Sequence, residues 1–191
     1  QLQAPSPSNF VITEAVATPI ASPIADDGTV LLHIIRPGVG RGKGNHLYEA
    51  DMLARDAGVF AGWKMYIDHE TPDSRKARGG LPRPFEQQGG RVLEAWWDPN
   101  VPADPVRGHG AGAVVGKVRP VRKIRDMIED DPALVEASIA ATATGVKQVT
   151  RGGKRVWLVE GIEPNGSVDG VSEGLSLIHI SEPTRLLRIS S

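Results

Sequence analysis

Two residues, His69 and Ser138, have side chains whose types could each carry chemistry. His69 stands in Tyr66-Ile67-Asp68-His69-Glu70, where an alternating stretch gives way to a charged segment rich in Gly and Pro. An imidazole titrates near neutral pH, so a histidine placed there can act as a general base. A surface histidine bonded to a neighbouring carboxylate fits the same placement. Ser138 lies in a stretch, 134–144, that alternates in apolarity. Val135, Ala137, Ile139, Ala141 and Ala143 make one face. Glu136, Ser138, Ala140, Thr142 and Thr144 make the other, so Ser138 points away from the aliphatic side. A serine nucleophile needs a base for its proton and donors for the oxyanion. Serines on strands are most often structural, and no Gly-x-Ser-x-Gly surrounds this one, which disfavours an α/β-hydrolase elbow.

Metal-assisted chemistry is the competing use of the same region. Asp68, His69, Glu70 and His109 offer oxygen and nitrogen ligands. There is no His-Glu-x-x-His, however, and adjacent residues on a strand point to opposite faces, so no metal site is expected. The loop 37–44, PGVGRGKG, lacks P-loop spacing, and Lys43 is followed by Gly44 rather than Ser or Thr. No cofactor is implied. The basic stretch around Arg75, Lys76 and Arg78 is interspersed with acidic residues and reads as a solvated loop.

Composition bounds these readings. The chain has 191 residues and a formal net charge of −1, which argues against a nucleic-acid surface. With no cysteines it has no disulfide, zinc-thiolate site or thiol nucleophile. Gly 22 and Pro 15 predict many turns around a real core. The partly apolar run 10–25 is interrupted by Glu14, Pro19 and Pro23 and has no basic lead, so neither a membrane span nor a signal peptide is expected.

The elements that must position His69 and Ser138 follow from periodicity and punctuation. Residues 1–9 read as a flexible lead-in and 10–174 as one domain. Strands are expected at 29–36, 63–68, 91–97, 111–118, 134–144 and 167–172, with a hairpin over 148–160 around Gly152-Gly153. Asn45 is expected to cap a helix running to about Ala57, and Pro120 to open a short helix carrying Val121, Ile124 and Ile128 on one face. Residues 70–90 read as a long exposed loop, and 98–110 as another. Many strands, two helices and no βαβ alternation predict an α+β fold or a β-barrel rather than a doubly wound sheet.

The ends are read separately. The chain does not start with Met, so it is expected to be processed or a fragment. Residues 175–191 read LSLIHISEPTRLLRISS, of which LSLIHISEPTR resembles the translation of a transposon-end adapter used in sequencing libraries. On that reading the native sequence ends near Gly174, the tail 175–191 is non-native, and His179 and Glu182 belong to no site.

Four ordered segments carry a wider resemblance. VFAGWKMYIDHE (59–70), AGAVVGKVRP (111–120), LVEASIAATATG (134–145) and VEGIEPNGSVDGVS (159–172) resemble, in order and spacing, segments of the prohead (capsid maturation) proteases of tailed bacteriophages, especially the actinobacterial-phage type. That family is related to the herpesvirus assembly protease. The resemblance implies a small, mostly antiparallel β-barrel with flanking helices. It makes His69 the general base and Ser138 the nucleophile. It gives the third member to an acidic residue after the serine: Asp169, which matches the family's Ser-Val-Asp motif, or Glu160 or Glu163. His109 takes that role if the viral histidine arrangement applies. Glu136-Ala137 replaces the family's usual Gly-Leu before the serine, and Gly170 replaces an aromatic. The implied activity is a serine endopeptidase that cleaves scaffold, or the scaffolding segment of the major capsid protein, and itself. It would work inside an assembling prohead in the host cytoplasm. The implied partners are the major capsid protein, the scaffold protein and further copies of the chain, with no nucleic acid and no membrane. The alternatives are a catalytically silent capsid-assembly or scaffold-binding domain, and a metal-dependent hydrolase.

Overall fold

The computed structural model describes residues 11–16, 19–40, 44–68 and 70–172. The lead-in 1–9, His69 and the tail 175–191 lie outside the described residues. The fold is α+β and mostly strand. Among the described residues there are ten strands: β1 Val11–Val16, β2 Val30–Ile35, β3 Gly38–Val39, β4 His46–Tyr48, β5 Lys64–Ile67, β6 Gln88–Asp98, β7 Ala113–Pro120, β8 Val135–Arg151, β9 Lys154–Ile162 and β10 Ser167–Ser172. The α-helices are α1 Ala50–Asp56, α2 Pro72–Arg78 and α3 Arg122–Asp130.

The strands form one curled sheet in the order β2-β7-β6-β5-β10-β8-β9-β4-β3, with β1 paired to β8 off this path. Most neighbours are antiparallel; β10 with β5 and β4 with β9 are parallel. Among the described residues, the two ends of the path, β2 and β3, are not paired to one another. The sheet is therefore a curled, open half-barrel, which fits the expected α+β, strand-rich fold with flanking helices. β8 is the longest element, at 17 residues. Its first half pairs with β10 and β1, and its second half with β9. The register slips on either side of Gly145; such bulges bend a strand and let it serve two parts of a curled sheet.

The alternation in 134–144 does what its period requires. Ala137, Ile139, Ala141 and Ala143 are buried in the main core, which also holds Leu32, Ile34, Phe60, Trp63, Met65, Val92, Val118 and Val168. Ile124 and Ile128 of α3 join this core, as their spacing predicts, whereas Val121 stays 37% exposed. Pro120 ends β7 rather than opening the helix.

Two further expectations are corrected. The helix expected from Asn45 starts later: Asn45 has φ +48°, His46–Tyr48 form a buried strand, and α1 begins at Ala50. Secondly, 70–90 is not simply a loop. It contains α2, whose first turn is capped by Thr71 accepting from the Ser74 N–H at 3.1 Å, with a proline at the start and Gly79 (φ +56°) closing it. β1, within the partly apolar run 10–25, pairs along β8. Among the described residues, no helix is long and apolar enough to cross a membrane.

Candidate active site

Register brings the site together. In the strand trio β5-β10-β8, Met65, Val168 and Ile139 lie side by side and are buried in the core. One residue further along β10, and one residue back along antiparallel β8, Tyr66, Asp169 and Ser138 lie side by side. Because side chains alternate, this second row faces away from Met65, Val168 and Ile139. Thus Ser138 and Asp169, 31 positions apart in the sequence, are direct cross-strand neighbours.

This row is not at the surface. Ser138 is 0% exposed and Asp169 1%. A buried carboxylate requires charged or hydrogen-bonding partners. Asp169 Oδ1 accepts from Arg83 Nη1 at 3.3 Å and from Ser167 Oγ at 3.1 Å. Arg83 also donates from Nη2 to the Asp68 carbonyl at 2.8 Å and from Nε to Gln87 Oε1 at 3.2 Å. Its guanidinium carbon lies 4.1 Å from the centroid of the Tyr66 ring, a cation–π arrangement.

β5 ends beside β10. The Asp68 N–H donates to the Gly170 carbonyl at 2.9 Å, and Asp68 has φ +67°, a conformation few non-glycine residues adopt. Residues on both sides of His69 are described, though His69 itself is not. Glu70, next in the chain, pairs with Arg75 at 3.3 Å and with Arg78, whose Nε is 2.7 Å from Oε1. Burial pushes the Glu70 carboxyl up, but the hydrogen bonds and charges of Arg78 and Arg75 outweigh it and hold it below its ordinary value. These pairs fold the segment carrying α2 over a cleft of about 430 Å³. Its walls include Tyr66, Arg83, Ala140, Thr142 and Ser167. Ala140 and Thr142 continue the Ser138 face of β8, so the cleft runs along the same side of that strand.

The other expected residues stand elsewhere. Glu160, 46% exposed, pairs with Lys147 at 3.5 Å and lies over Gly145, seven residues along β8 from Ser138. Glu163 donates its N–H to the Thr142 carbonyl at 2.8 Å, four residues and roughly 13 Å along the strand from Ser138. His109 is bridged to Gly38 and Asp104 in the loop before β7. Of the candidate third members, Asp169 is the one placed directly opposite Ser138. Among the described residues, no group of three or more His, Cys, Asp or Glu is arranged to hold a metal ion. Arg83 and Tyr66 escaped the sequence reading. The Pro82-Arg83-Pro84 setting, which stiffens the backbone on both sides of one cation, was the available sign.

Compared with protein-family models, curated proteins and solved structures, the chain matches none.

Proposed function

We propose that the chain is a serine endopeptidase of phage head maturation, with a fold of the prohead and herpesvirus assembly protease type. The observation that supports this reading best is the cross-strand placement of Ser138 against Asp169, beside the end of the strand that leads into His69. These three residues are the ones the family resemblance selects. In the proposed reaction, neutral His69 takes the Ser138 hydroxyl proton as Oγ attacks a peptide carbonyl. The tetrahedral adduct collapses as His69 gives that proton to the departing amine, leaving an acyl-serine. Water, deprotonated by His69, releases the acid and regenerates the hydroxyl. Asp169 stabilises the imidazolium and its orientation. The proposed substrates are the scaffold, or the scaffolding segment of the major capsid protein, and the chain itself, inside the prohead in the host cytoplasm.

One observation favours a second reading. The Ser138 side chain has no solvent-accessible surface, as in a capsid-assembly or scaffold-binding domain that keeps the fold without turnover. Fluorophosphonate labelling of the full chain separates the two. Labelling of Ser138, lost in Ser138→Ala and reduced at least about a thousandfold in His69→Ala, is the result expected of the endopeptidase. A folded chain that stays unlabelled, also after co-expression with capsid and scaffold proteins, overturns it.

A further inference from the structure

We propose that Arg83 is a positioning residue of this site, clamping the peptide that leads into His69 to the strand that carries Asp169. The inference rests on the endopeptidase reading for its catalytic meaning, but the clamp itself is built from described atoms. Each of the three guanidinium nitrogens has a partner. Nη1 meets Asp169 Oδ1, Nη2 meets the Asp68 carbonyl, and Nε meets Gln87 Oε1. One face lies on the Tyr66 ring. The side chain is only 8% exposed, unlike a solvated surface arginine. Pro82 and Pro84 fix the backbone around it, so the guanidinium is delivered from a stiff loop.

What the clamp holds gives it a role. The Asp68 carbonyl belongs to the planar peptide that joins residue 68 to residue 69. Asp68 itself sits at φ +67°, a conformation that persists when its surroundings over-determine it. Two bonds do so: the Asp68 N–H is fixed on Gly170, and its C=O on Arg83. Gly170 and Asp169 are consecutive on β10, so both bonds tie the residue-68 turn to the same short stretch of strand. One planar cation therefore bridges the turn into the proposed base and the carboxylate opposite the proposed nucleophile. A lysine ammonium would carry the same charge. It lacks the fork that reaches two acceptors in one plane, as well as the flat surface that stacks on Tyr66.

Arg83→Lys is accordingly the decisive variant, with Arg83→Met beside it. Two measurements are made on the full chain: the fluorophosphonate labelling rate constant at Ser138, and the ring resonances of His69, assigned by their loss in His69→Ala. Arg83→Lys is expected to fold with a melting temperature near the parent's, yet to label about 100-fold more slowly, the scale of a small misplacement of a catalytic group. Its His69 resonances are expected to move while those of His33 and His109 stay. Arg83→Met is expected to show the same pattern with a lower melting temperature. A folded Arg83→Lys that labels at the parent's rate, with unmoved His69 resonances, overturns the positioning role. If the folded parent does not label at all, it is the endopeptidase reading that fails. The resonances then decide Arg83 alone: unmoved, they overturn the clamp; moved, they support it.

Discussion

Replacing Asp169 by Asn probes the buried polar row most directly. Asn has the shape of Asp and keeps an oxygen toward Arg83 and Ser167, so packing is preserved while the charge is removed. The side chains of Arg83 and Asp169 are 8% and 2% exposed. Removing one member of a buried ion pair costs ~3–5 kcal/mol, because the surviving charge remains desolvated. Here the survivor retains the Asp68 carbonyl at 2.8 Å and the Tyr66 face at 4.1 Å. A desolvated cation over an aromatic ring keeps ~1–2 kcal/mol of compensation. The expected net loss is about 1–4 kcal/mol. At about 2–4 °C per kcal/mol for a chain of this size, the melting temperature should fall by roughly 2–16 °C. Urea titration followed by far-ultraviolet circular dichroism measures the loss directly, provided the slope with urea is unchanged. The double variant Asp169→Asn/Arg83→Met leaves no buried charge behind. Its loss should therefore be at least ~1 kcal/mol smaller than the sum of the two single losses. A loss below about 0.5 kcal/mol for Asp169→Asn, or strict additivity in the double variant, would refute a buried, coupled pair.

Other consequences are as specific. A Cβ at Gly166 would come within 2.7 Å of the Ala140 carbonyl oxygen and press on the Trp63 ring, whose indole N–H is bonded to the Pro164 carbonyl. Gly166→Ala should thus destabilise by ~1–3 kcal/mol in thermal or urea melts, and no change would show that the strand end yields freely. Glu70 makes a pH prediction. Its folded carboxyl titrates below its ordinary value of 4.5, so its contribution is complete above that pH and is lost as pH falls through the lower, folded value. The stability gap between the parent and Glu70→Gln should be present at pH 6 and should shrink as the pH is taken below 4.5, to be read from urea midpoints; a gap independent of pH contradicts it. Finally, because Ser138 has no exposed surface, labelling must wait for an opening step. Its observed rate should level off as probe concentration rises, whereas a rate that stays linear means the hydroxyl is reached without opening.

What was legible in the sequence was legible for local reasons. β10 spans the same residues, 167–172, that its composition and flanking turn residues mark out. The two faces of β8 follow from strict alternation, and this put Ser138 away from the aliphatic side. α2 was hidden by its charge: Asp73, Arg75, Lys76 and Arg78 look like loop, and the Thr71 cap, the following proline and the closing Gly79 carry the helix instead. A buried strand of three residues, His46–Tyr48, is too short to show a period, and Asn45 resembles a helix cap while adopting a left-handed conformation. The partnership of Arg83 with Asp169 spans 86 positions. No local pattern encodes a contact of that range; it exists because β10 lies next to β5.

That insertion also sets when the site can exist. Of the described strands, β10 is the last in the chain and the one that joins β2-β7-β6-β5 to β8-β9-β4-β3 by backbone hydrogen bonds. Until it emerges from the ribosome, no strand ladder joins these two groups, and its pairing with β5 must close a loop from Lys64 to Ser167. Such long-range parallel pairing is slow to form. Asp169 travels on this strand, so the carboxylate reaches its place opposite Ser138 in the same event that seals the sheet. A nascent chain can thus display its serine strand during synthesis before Asp169 stands opposite Ser138.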